Sequence, residues 1–161
     1  MGERSFDGTS LSVSLAFGGS LRNGIVLGGA LMIDRILGLS GTDEQGATLD
    51  LGGYDFTFLL IGPFLDVYPD PGGGLHLQAA LGLATLGVSR PQNAQSSNTS
   101  IDDPSGVGVA LGAGWELWLG DDVSAGALLR VSWAPLDVQE SQTPAQVDVL
   151  TPALLLTGTY N

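Results

Sequence analysis

The feature that most constrains this chain is an alternation of period two whose quiet face carries residues unsuited to water. Across residues 107–119 the odd positions read Val107, Val109, Leu111, Ala113, Trp115, Leu117 and Leu119. The even positions read Gly108, Ala110, Gly112, Gly114, Glu116 and Trp118. Residues 10–18 repeat the pattern, with Leu11, Val13, Leu15 and Phe17 set between Ser10, Ser12, Ser14, Ala16 and Gly18. Period two sends successive side chains to opposite faces of a strand. A soluble sheet buries one face and clothes the other in polar residues. Here the second face is mostly Gly, Ala and Ser, too small for a core and too uncharged for a solvated surface. A narrow barrel interior with lipid outside accounts for both faces.

No run approaches the roughly 20 apolar residues of a membrane-crossing helix. The most apolar stretch, residues 56–67, is interrupted by Gly62, Pro63 and Asp66. Crossing a membrane then falls to strands, and a closed barrel satisfies every backbone group there. At 161 residues the chain is expected to form one domain, residues 1–161. Its 14% charged content is low for a solvated globule, and its 25 glycines are many. The net charge of −12 argues against nucleic acid as a partner, since phosphate binding needs clustered Lys and Arg. Asp43, Glu44, Asp70, Asp102, Asp103, Asp137 and Glu140 fall outside the alternating segments, a pattern of solvated loops. An acidic rim holding divalent ions that bridge lipopolysaccharide is a sharper account of the same residues. With no cysteine, neither a disulfide framework nor a thiolate metal site is available.

Seven strand-length segments are expected, at residues 9–20, 24–35, 48–68, 74–89, 106–119, 123–134 and 147–160. Most reach the 9 to 11 residues of a tilted membrane strand. In the third the alternation blurs, because Tyr54, Phe56 and Phe58 share a face with Gly62 and Asp66. The connections alternate in length: 21–23, 69–73 and 120–122 are short, whereas 36–47, 90–105 and 135–146 are long. Outer-membrane barrels have short periplasmic turns and longer extracellular loops. With the short turns inside, Asn161 lies in the periplasm and the first segment begins outside, so residues 1–8 read as an extracellular loop remnant. Bacterial single-chain barrels have even strand numbers. Eight strands are therefore expected in the parent, with one upstream strand missing here. Residues 1–10 are polar and no signal-type apolar run follows, so a signal peptide is expected to be absent from this chain.

The runs FLLIGPFLDVYPDPGGGLHLQAALGLATLG, GVGVALGAGWELWLGDDVSAGALLRVSW and LLLTGTYN resemble the small eight-stranded outer-membrane barrel domains of Gram-negative bacteria. This is the broad OmpA-, OmpX- and OmpW-like group, especially its members with Gly-rich strands. The resemblance covers nearly all of the chain from residue 10, and its motifs specify architecture rather than activity. It implies an outer-membrane location and assembly by the insertion machinery that reads the C-terminal strand. Two departures stand out: the family's first strand has no counterpart, and the last residue is Asn161 rather than an aromatic, with Tyr160 beside it.

Trp115, Trp133 and Tyr160 are expected on the outward face as an aromatic girdle at the two interfaces. Trp118 has inward parity and is expected to plug the periplasmic end. The interior register holds few ionisable groups: Asp66, His76, Glu116 and Arg130, with Asp34 a further candidate. Buried charges need partners. Asp66, His76 and Glu116 all fall near the periplasmic end and are expected to cluster, whereas register alone names no partner for Arg130. Ion pairs that fill the lumen explain these residues without any catalysis. A lipid-modifying enzyme needs a nucleophile within reach of its base, and the only histidine, His76, has no serine beside it on its face. GVGVALG lacks dinucleotide spacing, and YPDPGGG is better explained by a tight turn than by calcium. No catalytic residue, metal or cofactor is expected.

These readings predict an all-β, antiparallel up-and-down transmembrane barrel with its lumen filled by Gly, Ala, Ser and a few ion pairs. The expected function is a non-enzymatic outer-membrane scaffold that displays acidic loops for envelope integrity or surface interaction. The alternative is an OmpW-like binder or transporter of a small hydrophobic molecule. A gap beside Leu128 and Leu155 would favour it, and tight packing would favour the scaffold. A soluble lipocalin-type barrel needs the Gly and Ala face to meet water, against the low charge.

Overall fold

The computed structural model describes residues 5–22, 24–42, 48–50, 55–70, 72–89, 103–120, 123–138 and 145–160. The strands are β1 (Ser5–Arg22), β2 (Ile25–Thr42), β3 (Thr48–Asp50), β4 (Asp55–Val67), β5 (Leu75–Ser89), β6 (Ser105–Trp118), β7 (Val123–Val138) and β8 (Ala145–Tyr160). Seven of them are long, and each pairs antiparallel with the next in one curled sheet of order β1-β2-β4-β5-β6-β7-β8. The short β3 pairs with β2 beyond the end of β4, at Ser40 to Thr42. Among the described residues no helix occurs.

Hairpins at one end are tight. Gly24 and Gly74 take positive φ (79° and 75°), a region that L side chains rarely adopt. Asp70 accepts from the Gly72 amide at 3.1 Å through its side chain, and its carbonyl accepts from Gly73 at 2.9 Å. This Asx turn reverses the chain between β4 and β5. Prolines interrupt the ladders locally: the β4–β5 register lapses at Gly62 and Pro63, since proline has no N–H to give.

Alternation decides which face is which. Leu111, Leu117, Leu129, Leu150, Leu154 and Leu156 point outward and are exposed, as do Leu11, Leu15 and Phe17 of β1. Inward stand Met32, Phe58, Leu60, Phe64, Ala80, Ala84, Ala110 and Leu136, all buried. The lumen is thus not filled by small residues alone. β4 supplies Phe58, Leu60 and Phe64, and these face Leu86, Ala84 and Ala80 on β5. Large side chains on one strand occupy the space that small ones leave on its neighbours. Gly108 belongs to this scheme, because a Cβ there would strike Leu60 Cδ1, Ala84 and Ala134. The blurred alternation of the third segment reflects that large inward row.

Several boundaries differ from expectation. Residues 5–8 belong to β1 rather than to a loop remnant, β2 continues to Thr42, β7 continues to Val138, and β8 begins at Ala145. Alternation of apolar residues marks only the part of a strand with one face in an apolar medium. Beyond it the backbone ladder continues, with Ser5 opposite Thr42 and Val138 opposite Ala145. The segment 48–68 divides into β3 and β4. Asp43, Glu44, Asp102 and Glu140 lie outside the described residues, as does Asn161.

The curl stops short of closure. Among the described residues no hydrogen-bonded register joins β1 to β8, so the molecule is a half-barrel with a seam between its first and last strands.

Candidate functional site

Two polar knots occupy the lumen. The middle one is built around Arg130, which is fully buried. Its Nη2 donates to Asp34 Oδ1 at 2.7 Å and its Nη1 to Ser14 Oγ, while Thr151 Oγ1 donates to the other Asp34 oxygen at 3.1 Å. Arg130 lies on β7 and Asp34 on β2, which are not neighbours in the sheet. The curl brings them together across the lumen, and register between adjacent strands had no means of naming the pair.

The second knot sits at the short-turn end. His76 Nδ1 faces both Asp66 oxygens at 3.0 Å. A carboxylate can only accept, so Nδ1 carries the hydrogen. The Tyr68 ring stacks on the imidazole with centroids 5.2 Å apart and planes 12° from parallel. Its hydroxyl donates to Glu116 Oε2 at 3.2 Å. Ser124 Oγ donates to the same oxygen at 2.7 Å, and Thr159 Oγ1 to Oε1 at 2.9 Å. Burial, with Asp66 and Glu116 close by, pushes the Tyr68 phenol well above its ordinary value, so it stays a neutral donor. Gly114 leaves the space in which the His76 ring stands, since a Cβ there would overlap Nε2.

Asp66, His76 and Glu116 therefore meet, with Tyr68 as the link. Asp66 and His76 bond directly, whereas Glu116 joins through the phenol rather than through the imidazole. In the sequence Tyr68 is marked only as a strand end, and Ser14, Ser124, Thr151 and Thr159 were passed over. Their shared inward parity was the available signal, but parity does not say which polar groups touch across a lumen. Trp115, Trp133 and Tyr160 are all outward and exposed. Trp115 and Tyr160 lie towards the short-turn end and Trp133 towards the other. Trp118 lines the lumen with its Nε1 buried and unpartnered.

Among the described residues no serine hydroxyl is hydrogen-bonded to His76. Ser124 turns its hydroxyl to Glu116, and His76 Nε2 is buried with no partner. Among the described residues no group of three or more His, Cys, Asp or Glu is placed to hold a metal ion.

Beside this knot lies a cavity of about 660 Å³ lined by Phe64, Leu128 and Leu155 as well as Asp66, His76 and Glu116. It is a correction to the expected filled lumen: the half containing Phe58, Leu60 and Leu136 is packed, and the half at the short-turn end is not. The cavity reaches outward-facing Val13, Leu154, Leu156 and Tyr160, so it opens sideways at the seam. On β1, residues 15–21 are exposed on both faces. No protein-family model, curated protein or solved structure matches this chain.

Proposed function

We propose that this chain is a β-barrel protein of the bacterial outer membrane, a non-enzymatic scaffold that carries acidic loops at its long-connection end. The observation that supports this reading is the outward face. Leucine, valine and tryptophan cover it on the long strands from β4 to β8, while inside the curl Arg130 pairs with Asp34 and His76 with Asp66. Soluble monomers rarely expose apolar patches beyond a few hundred Å², whereas lipid demands such a face. Outer-membrane lipid and lipopolysaccharide are the partners this surface fits, and the insertion machinery would take β8 as its signal. Envelope integrity or surface interaction is the corresponding role.

The test is reconstitution of Trp118→Phe, which leaves only the outward Trp115 and Trp133, into vesicles with and without brominated lipid. Strong quenching of both tryptophans is expected. A folded monomer in amphiphile-free buffer, unquenched by the vesicles, would overturn the reading.

A second reading is favoured by one specific observation, the cavity beside Leu128 and Leu155. In it the chain binds or passes a small hydrophobic molecule, in the manner of an OmpW-like barrel. Saturable uptake of an apolar fluorophore, lost on Leu128→Trp, would support this reading; uptake unchanged by that substitution would remove it.

A further inference from the structure

The seam presents two strand edges without hydrogen-bonded partners among the described residues. Seven long strands in up-and-down order make the first and last run the same way, so β1 and β8 both descend to the short-turn end. At their nearest they come within 8 Å, Cα to Cα. One strand between them requires two sheet spacings, about 9.6 Å, so the lips have to part by at least about 1.6 Å where they are nearest. That strand would run opposite to both lips. It would then form on each side the antiparallel ladder found at every other boundary between long strands.

The lips also carry unmet polar groups. Ser12 Oγ on β1 and Thr157 Oγ1 on β8 are buried without partners. Glu116 is 3% exposed, and the three groups that donate to it are all neutral hydroxyls. None of the cations among the described side chains bonds Glu116: Arg130 holds Asp34, Arg35 lies on the outward face, and His76, though close to Glu116, gives its bond to Asp66. A carboxylate this buried is stabilised by a cation, and its bond to Thr159 puts it beside the β8 lip.

We infer that the β1–β8 seam is an acceptor for one further β-strand of polypeptide, antiparallel to both lips. Its outward residues are apolar, and its inward residues are small or polar except for one Arg or Lys opposite Thr159 that neutralises Glu116. The inference rests on the membrane reading above, because lipid is what makes two unpaired edges so unfavourable.

The experiment refolds the chain in detergent micelles with a fluorescein-labelled peptide of about 11 residues, the span of a tilted membrane strand. The peptide alternates Leu or Val with Ser or Thr and carries one Arg at the stated position. Anisotropy should show binding about tenfold tighter than for the same peptide with Gln there, and E116Q should level the two. A second measurement avoids the charge. The chain has no cysteine, so Gly158→Cys on the outer face of β8 should form a disulfide with an outward cysteine of the peptide only in antiparallel register. Equal binding of both peptides to the native chain would overturn the charge match. A heat-shifted compact band from the chain alone, with peptide excluded, would overturn the acceptor while leaving the membrane reading intact. Gly158→Cys cross-linking between two copies would identify a second chain as the occupant and overturn the inference. No compact species in any amphiphile would remove the membrane reading with it.

Discussion

Arg130 is the residue on which the lumen depends most. Its guanidinium is wholly buried and bonded to Asp34 and Ser14 from strands on the far side of the half-barrel. Removing one member of a buried pair strands the other charge, a loss of about 3 kcal/mol or more. Arg130→Met should therefore lower the unfolding free energy in detergent by about 3 kcal/mol, read from urea titration. Asp34→Leu combined with Arg130→Met should recover most of that loss, because no charge is then left alone. A single variant as stable as the native chain would show that water reaches Asp34. At this scale the sequence was partly readable. Inward parity marked Asp66, His76, Glu116 and Arg130 as interior groups, and each is buried. The partners were not readable, since Asp34 meets Arg130 through the curl of the whole sheet. Tyr68 shares the inward parity of Asp66, but it lies one residue beyond the end of β4, and parity does not reveal that its hydroxyl reaches Glu116 across the lumen.

The strands owe their faces to alternation and their interior to differences in size. β6 shows this most clearly: Gly108, Ala110, Gly112 and Gly114 face inward, and Val107, Leu111, Trp115 and Leu117 face outward. Its small row admits Leu60 from β4, Leu128 from β7 and His76 from β5. On this strand the period-two signal is strong enough to assign both faces by itself. On β4 it failed in part, because Phe58 and Leu60 are as bulky inward as Leu59 and Ile61 are outward. Strand ends were the least legible feature, since β1, β2 and β7 continue beyond their apolar stretches. The outward face of β6 yields a direct prediction. Leu111→Arg, in mid-strand, should destabilise the protein in lipid vesicles by about 2 to 4 kcal/mol, and Leu117→Arg, near the strand end, by about 1 or less. Equal effects at the two positions in a denaturant titration would argue against a bilayer with its middle at Leu111.

The whole molecule is a curled meander whose two halves differ. Towards the long connections the lumen is packed by Met32, Phe58, Leu60 and Leu136. Towards the short turns it holds a polar knot and a cavity that opens at the seam. The meander order was legible, because connections that alternate between short and long leave little choice of neighbours. The open seam and the uneven filling were not, since both depend on how tightly the sheet curls and on which side chains meet across it. The central claim, that lipid covers the outward face, is most directly tested with nitroxide labels at Val107, Leu111 and Leu117, placed singly by cysteine substitution in vesicle-reconstituted protein. The account predicts that collision with dissolved oxygen, relative to a water-soluble nickel chelate, is highest at Leu111 and falls towards Val107 and Leu117. Nickel collisions as frequent at Leu111 as at the strand ends would contradict it and return the apolar face to water or to another protein.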